Sequence, residues 1–173
     1  KWTSTRSEAF LSDSHGRDHV TKASIAMDKD GHFLGVKVDT VAAVGAYLSQ
    51  YGIFIPTLAG AGMHVGVYKI PTLYNKVNVV YTNTVPVDAY RGAGRPEASY
   101  VIERLVDKAA DDLGIDPLEL RMKNFVQPDE IGKNEGSILP FDSCDFQKTT
   151  EMSIVNSSYS DFVNRKKSAD KSK

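Results

Sequence analysis

From Asp88 the chain reads Asp-Ala-Tyr-Arg-Gly-Ala-Gly-Arg-Pro-Glu and then becomes amphipathic as far as Leu113. The glycines between Arg91 and Arg95 interrupt any regular element. Pro96 fits the first turn of a helix, where its missing N–H leaves no bond unmade. Beyond it Val101, Ile102, Leu105, Val106, Ala109 and Leu113 recur at three- and four-residue spacings, with Glu103, Arg104, Asp107, Lys108, Asp111 and Asp112 opposite. This predicts a helix over 96–113, stopped by Gly114. A glycine turn feeding a helix N-terminus offers free N–H groups at the positive end of the helix dipole, which suits an anion. A tight structural turn explains the same residues, and on the residues alone both readings stand.

The flanking elements follow from turn and cap chemistry. Asp116-Pro117-Leu118-Glu119 combines a capping aspartate, proline at the first helical position and glutamate at the third, predicting a second helix that ends near Asn124. Upstream, His19–Met27 alternates, Asp28-Lys29-Asp30-Gly31 turns, and Phe33–Val44 is rich in valine, which predicts an antiparallel hairpin. Lys76–Thr82 reads as a further strand by its β-branched content. Trp2-Thr3-Ser4-Thr5 also has a strand-like pattern. Between Leu58 and Tyr68, glycines at 60, 62 and 66 weaken a helix but would let a short one pack closely. Residues 128–140, with Gly132 and Gly136, read as loop, and 146–165 as a third helix. Strands early and two to three packed helices in the C-terminal half define an α+β domain.

Its 173 residues allow one domain with its own core, and the single Cys144 excludes an internal disulfide and favours a reducing, cytoplasmic setting. Residues 1–164 are expected to form the folded unit. Residues 165–173, with Arg165-Lys166-Lys167, Lys171 and Lys173, are expected to be a flexible charged tail. A net charge of −1 gives no reason to expect nucleic acid, and no apolar run reaches the about 18 residues needed to span a bilayer. The chain opens at Lys1, which suggests an internal fragment or a split-gene product.

Other familiar chemistry is missing. His15, His19, His32 and His64 have no metal-ligand spacing and are expected to make surface or core hydrogen bonds. No Gly-x-Ser-x-Gly elbow occurs, and Cys144 has no activating pattern around it. Arg91-Gly92-Ala93-Gly94-Arg95 lacks the Gly-Lys-Ser/Thr ending of a phosphate loop. It is not the dinucleotide fingerprint either, because Glu97 stands where the third glycine belongs. Phosphate binding by this loop remains an alternative that nucleotide titration tests.

The segment Ala89-Tyr90-Arg91-Gly92-Ala93-Gly94-Arg95-Pro96-Glu97-Ala98 resembles the active-site loop of the large subunit of aerobic carbon monoxide dehydrogenase-like enzymes. These belong to the molybdenum hydroxylase family, with xanthine dehydrogenase and aldehyde oxidase. Trp2-Thr3-Ser4-Thr5-Arg6, Gly16-Arg17-Asp18-His19, Gly45-Ala46-Tyr47, Tyr68-Lys69-Ile70-Pro71, Asp116–Arg121 with Asn124-Phe125, and Phe141–Phe146 are similar to further family segments in the same order. Glycine is usual in the family where Cys144 stands.

The resemblance implies an α+β molybdopterin-binding unit in which Arg91, Gly92, Ala93 and Gly94 line a molybdenum–molybdopterin cytosine dinucleotide site. Arg91 would approach the metal's ligands through its backbone amide. It also implies partners: the remaining large-subunit segments, a flavin (FAD) subunit and an iron–sulfur (2Fe-2S) subunit, acting on a small molecule. Gly92 replaces the cysteine that binds copper in true carbon monoxide dehydrogenases. Ala93 replaces a phenylalanine of purine-oxidising relatives, and no arginine occurs near 58–63. Aldehydes, small carbonyls or heterocycles therefore stay open as substrates. No catalytic residue is assigned to this chain, because the family's glutamate base belongs to another segment. A scaffold domain that has lost the cofactor is the rival expectation.

Overall fold

The computed structural model describes residues 1–133 and 140–170. Helix α1 (Arg6–Ser12) precedes strands β1 (His19–Met27) and β2 (Phe33–Ala43), a π-helical turn (Ile55–Ala59) and strand β3 (Leu73–Val80). Helices α2 (Arg95–Leu113) and α3 (Pro117–Asn124), a 3-10 turn (Pro128–Glu130), helix α4 (Phe146–Ser157), a second 3-10 turn (Tyr159–Asp161) and helix α5 (Phe162–Asp170) follow. The α+β expectation holds.

The hairpin forms where turn chemistry put it. β1 runs antiparallel to β2 from His19↔Ala42 to Met27↔Phe33, with a register shift at Ala26/Met27. Asp28 closes the turn, its Oδ1 accepting from the Asp30 and His32 N–H groups at 2.9 Å each, while Gly31 takes φ 84°. β3 lies on the other side of β2 and is parallel to it, Val36↔Leu73 through Ala43↔Val80. A parallel neighbour cannot be reached by a tight turn. The chain therefore crosses over through residues 44–72, and this crossover carries the π-helical turn and His64.

The core lies between the sheet and α2. Val36 and Val38 from β2, Val65, Tyr68 and Ile70 from the crossover, and Ile102, Val106 and Ala109 from α2 are all buried in it. The apolar face expected on α2 is largely confirmed, but Leu113 is 42% exposed, whereas Ala98 and Ala110 are buried. Tyr68 donates its hydroxyl to Glu103 at 2.8 Å, and Arg121 of α3 bridges Glu103 and Asp107 of α2, each at 2.8 Å. Burial, with the Glu103 carboxylate beside it, pushes the Tyr68 hydroxyl well up, so it stays a proton donor. α3 starts as expected, with Asp116 Oδ1 accepting from Leu118 N (2.8 Å) and Glu119 N (3.1 Å). At its end the buried Asn124 side chain accepts from Phe33 N at 2.8 Å and donates to Gly31 O and Leu120 O at 2.9 Å each. The helix end is thereby fixed to the hairpin turn.

Three expectations are corrected. Trp2–Thr5 is not a strand: Thr5 caps α1 in a reciprocal box with Glu8, Thr5 N donating to Glu8 Oε2 at 2.7 Å. That box satisfies backbone donors locally, whereas a strand needs a partner. The helix expected over 146–165 is broken at Ser158, whose φ of 52° ends α4, and helical structure resumes in α5. β3 begins at Leu73 and ends at Val80, displaced upstream of 76–82. Gly136, Lys171 and Lys173 lie outside the described residues. No helix among the described residues is long and apolar enough to cross a membrane.

Candidate functional site

Three segments distant in sequence converge at the start of α2: residues 15–18 before β1, 44–60 after β2, and 85–94 after β3. Backbone bonds join them, Ala43 N donating to Asp18 O, Val87 N to Val44 O, His15 N to Pro86 O and Asp88 N to His15 O. Asp88 Oδ1 accepts from Tyr51 N at 3.1 Å and from Ala89 N at 2.7 Å, tying the crossover to the base of the glycine loop.

The loop is left-handed at three consecutive residues, Gly92, Ala93 and Gly94, with φ of 96°, 43° and 92°. Ala93 N donates to Tyr90 O at 2.8 Å and Arg95 N to Gly92 O at 3.0 Å. A Cβ on Gly94 would lie 2.6 Å from Ile55 O and 2.8 Å from Gly60 N, and one on Gly92 would lie 2.6 Å from Pro96 Cγ. The freedom read from sequence as room for a ligand is, at these two positions, room for the protein's own backbone and for Pro96.

The outward side of the loop is different. Arg91 and Gly92 are exposed, and among the described residues the N–H groups of Arg91, Gly92 and Gly94 donate to no protein acceptor. Arg91 and Arg95 expose guanidinium groups that have no acidic partner among those residues. The positive end of the α2 dipole adds to their charge. Ala93 is half-buried and Gly94 buried. The sequence-predicted residues thus fall together on one turn, with Arg91 and Gly92 the accessible pair.

Arg17 supports this turn from below. Its guanidinium donates to the Arg91 carbonyl, lies 3.4 Å from Glu97 Oε1 and stands 4.7 Å from the Tyr90 ring centre. Arg17 is itself left-handed, with φ 66°, and Gly16 beside it leaves no space for a Cβ, which would meet Tyr90 Cβ at 2.7 Å. The sequence marks Gly16-Arg17-Asp18-His19 only as a family-like segment; that Arg17 braces the glycine loop depends on its position in space.

Two histidines lie beneath α2's first turn, His19 from β1 and His64 from the crossover, lining one small cavity with Glu97. Burial pushes the His19 imidazole down, against the pull of Glu97 and Asp18. Burial also pushes His64 down, and the charge of His19 adds to the effect. For both, burial favours the neutral form. His15 has its Nε2 3.3 Å from Phe10 O, as expected of a hydrogen-bonding histidine. His64 departs from that expectation, since its Nδ1 is buried without a partner. Among the described residues no group of three or more His, Cys, Asp or Glu side chains is placed to hold a metal ion directly. Any metal-bearing group here would be held through its other atoms.

The model of the molybdopterin cofactor-binding domain family matches residues 1–125. The chain is 31% identical over 172 residues to the 6-hydroxypseudooxynicotine dehydrogenase complex subunit gamma of Paenarthrobacter nicotinovorans, covering 96% of this chain and 22% of that protein. It is 36% identical over 151 residues to the carbon monoxide dehydrogenase large chain of Hydrogenophaga pseudoflava, covering 84% of this chain and 18% of that protein. Among solved structures, quinoline 2-oxidoreductase from Pseudomonas putida 86 superposes with a TM-score of 0.88 at 28% identity, covering 97% of this chain and 22% of that one. The chain spans about a fifth of the length of these relatives.

Proposed function

The chain belongs to the molybdopterin cofactor-binding domain family, and from that premise we propose that Arg91–Gly94 forms one wall of a molybdopterin site in the large subunit of a hydroxylase-type oxidoreductase. The observation that carries this is the unbonded N–H groups of the exposed residues Arg91 and Gly92, beside two arginine charges with no acidic partner among the described residues. Donors fixed in place by folding hold an oxygen-rich anion without reorganising. The residues fit such a group: the outward donors are free, and the loop is braced from within by Pro96, Gly60 and Arg17.

When bound, a molybdenum–pterin centre supplies two-electron redox chemistry with oxygen drawn from water. This chain's part is to bind and orient. The Arg91 and Gly92 N–H groups donate to the anionic oxygens, the guanidinium groups of Arg91 and Arg95 balance the charge, and Arg17 fixes the direction of the Arg91 peptide. The cytosine dinucleotide form, FAD and 2Fe-2S on partner subunits, a glutamate base on the remaining large-subunit segments and a cytoplasmic setting complete the reading. The relatives' names, a complex's gamma subunit and a large chain, support an assembly. Gly92 in the copper cysteine's place and Ala93 in the phenylalanine's place favour an aldehyde, small carbonyl or heterocycle over carbon monoxide or a purine. Residues 1–164 carry this role, and 165–173 have none in it.

The test is Arg91→Glu with Arg95→Glu in the intact subunit, since both residues are exposed and have no acidic partner among the described residues. Elemental analysis is expected to show a several-fold loss of molybdenum with an unchanged circular dichroism spectrum. Unaltered metal content would overturn the reading. A second reading, a scaffold that has lost its cofactor, is favoured by one observation: packing alone demands Gly92 and Gly94. Molybdenum-free protein from the native source, with its co-purifying chains intact, would establish it.

A further inference from the structure

Behind the glycine loop, the first turn of α2, the crossover and the start of β1 enclose a cavity of about 20 Å³. Two of the residues that line it carry a buried polar atom with no hydrogen-bond partner among the described residues, Glu97 Oε2 and His64 Nδ1. His64 is only 7% exposed. The other oxygen of Glu97 is engaged with Arg17 at 3.4 Å. Thr21 and Thr40 reach the same cavity and share one hydrogen bond, Oγ1 to Oγ1 at 3.0 Å. Two hydroxyls sharing one bond leave one hydroxyl hydrogen uncommitted. Buried polar atoms are rarely left unpaired, and a polar cavity of this size holds one water.

We propose that this cavity is a binding site for a single water molecule that joins Glu97 Oε2 to His64 Nδ1 and so locks the first turn of α2 to the crossover beneath the glycine loop. The donors and acceptors match. The Glu97 carboxylate accepts one water hydrogen. The neutral imidazole either gives its Nδ1 hydrogen or accepts the second water hydrogen, according to tautomer, and a threonine hydroxyl supplies a third contact. Water suits the site better than a cation, because no ligand cluster of three or more His, Cys, Asp or Glu side chains occurs among the described residues. A continuous path then runs from the Arg91 carbonyl through Arg17 and Glu97 to the water and His64. Glu97 and His64 are positioning residues: they act on the outward donors only through the loop. The water site stands independently of the cofactor reading, and only its consequence for ligand binding rests on it.

Diffraction from the intact subunit, at a resolution that shows ordered water, is expected to reveal one peak about 3 Å from both atoms. A dry cavity, or direct contact between carboxylate and imidazole, would overturn the proposal. His64→Gln keeps a polar group toward the water and His64→Leu does not. Hydrogen exchange at Ala93 and Arg95, the loop's hydrogen-bonded amides, is expected to rise several-fold in His64→Leu and to stay near the parent rate in His64→Gln. Equal rates in the two variants would overturn it. If His64→Leu does not fold, the His64→Gln crystal structure decides: a retained peak supports the site and a lost one refutes it. Both readouts are independent of metal content, so they separate this proposal from the cofactor assignment.

Discussion

The Arg17 guanidinium donates to the carbonyl of Arg91, 74 positions further along the chain. One side chain thereby sets the direction of the peptide that follows, whose N–H belongs to Gly92. The same guanidinium faces Glu97 and lies over Tyr90. Arg17→Met removes all three contacts and is expected to cost about 1.5–3 kcal/mol of stability, the usual value of a hydrogen bond made by a charged group. Arg17→Lys, which cannot make the planar set, is expected to fall between. Chemical denaturation of the three proteins checks this order.

Gly94 and Gly114 are both left-handed, with φ of 92° and 66°, yet they should respond differently to alanine. At Gly114 a Cβ meets nothing within 4 Å. Gly114→Ala is therefore expected to cost only the conformational penalty, about 1–2 kcal/mol. At Gly94 the Cβ collides with the Ile55 and Gly60 backbones. Gly94→Ala should lose about 3 kcal/mol or more, because backbone must move as well. Similar losses for the two variants would show that packing at Gly94 is unimportant.

Asn124→Leu keeps the number and branching of side-chain heavy atoms while removing every hydrogen bond of a buried amide. The Phe33 N–H, which donates to it at 2.8 Å, is left without an acceptor. The expected loss is about 3 kcal/mol, combining lost bonds with an unpaired buried donor. Asn124 lies on α3, outside the loop, so the molybdenum content of whatever folds should be unchanged. Paired measurement of unfolding and metal content tests both halves.

The two depressed histidines give stability a pH dependence of definite sign. His19 and His64 titrate below the about 6.5 of an exposed imidazole, so below that pH the unfolded chain binds more protons than the folded one. Stability is then fully present above about pH 6.5 and is lost as pH falls through the depressed values. Glu8, Asp28 and Glu130 are also depressed, from a carboxylate's range, and contribute only below about pH 4.5. Melting by circular dichroism should give a constant Tm from pH 7 to 8 and a falling one from about 6.5 to 5. His64→Gln should reduce that slope, and a Tm flat down to pH 5 would contradict the assignment.

Elements governed by chemistry within a few residues were legible in the sequence. Asp116 with Pro117 marked α3, Asp28 to Gly31 marked the hairpin, and Gly114 marked the end of α2. The capping box of Thr5 and Glu8 is equally local, but the β-branched residues beside it carry a competing strand signal. Ser158 carries no comparable signal: a serine at φ 52° is chosen by its surroundings. The parallel placement of β3 was also hidden, because its partner is set by a crossover that periodicity does not record. At the site, the sequence identified the loop, but what braces it comes from Arg17, Gly60 and His64. Their relevance is a matter of distance in space.

A chain made from its N-terminus completes the turn at Asp28–His32 long before residue 124 exists. Asn124 closes the contact with the Phe33 N–H across 91 positions, after the glycine loop has itself been synthesised. The hairpin turn, made early, is therefore fastened by a residue made after the glycine loop.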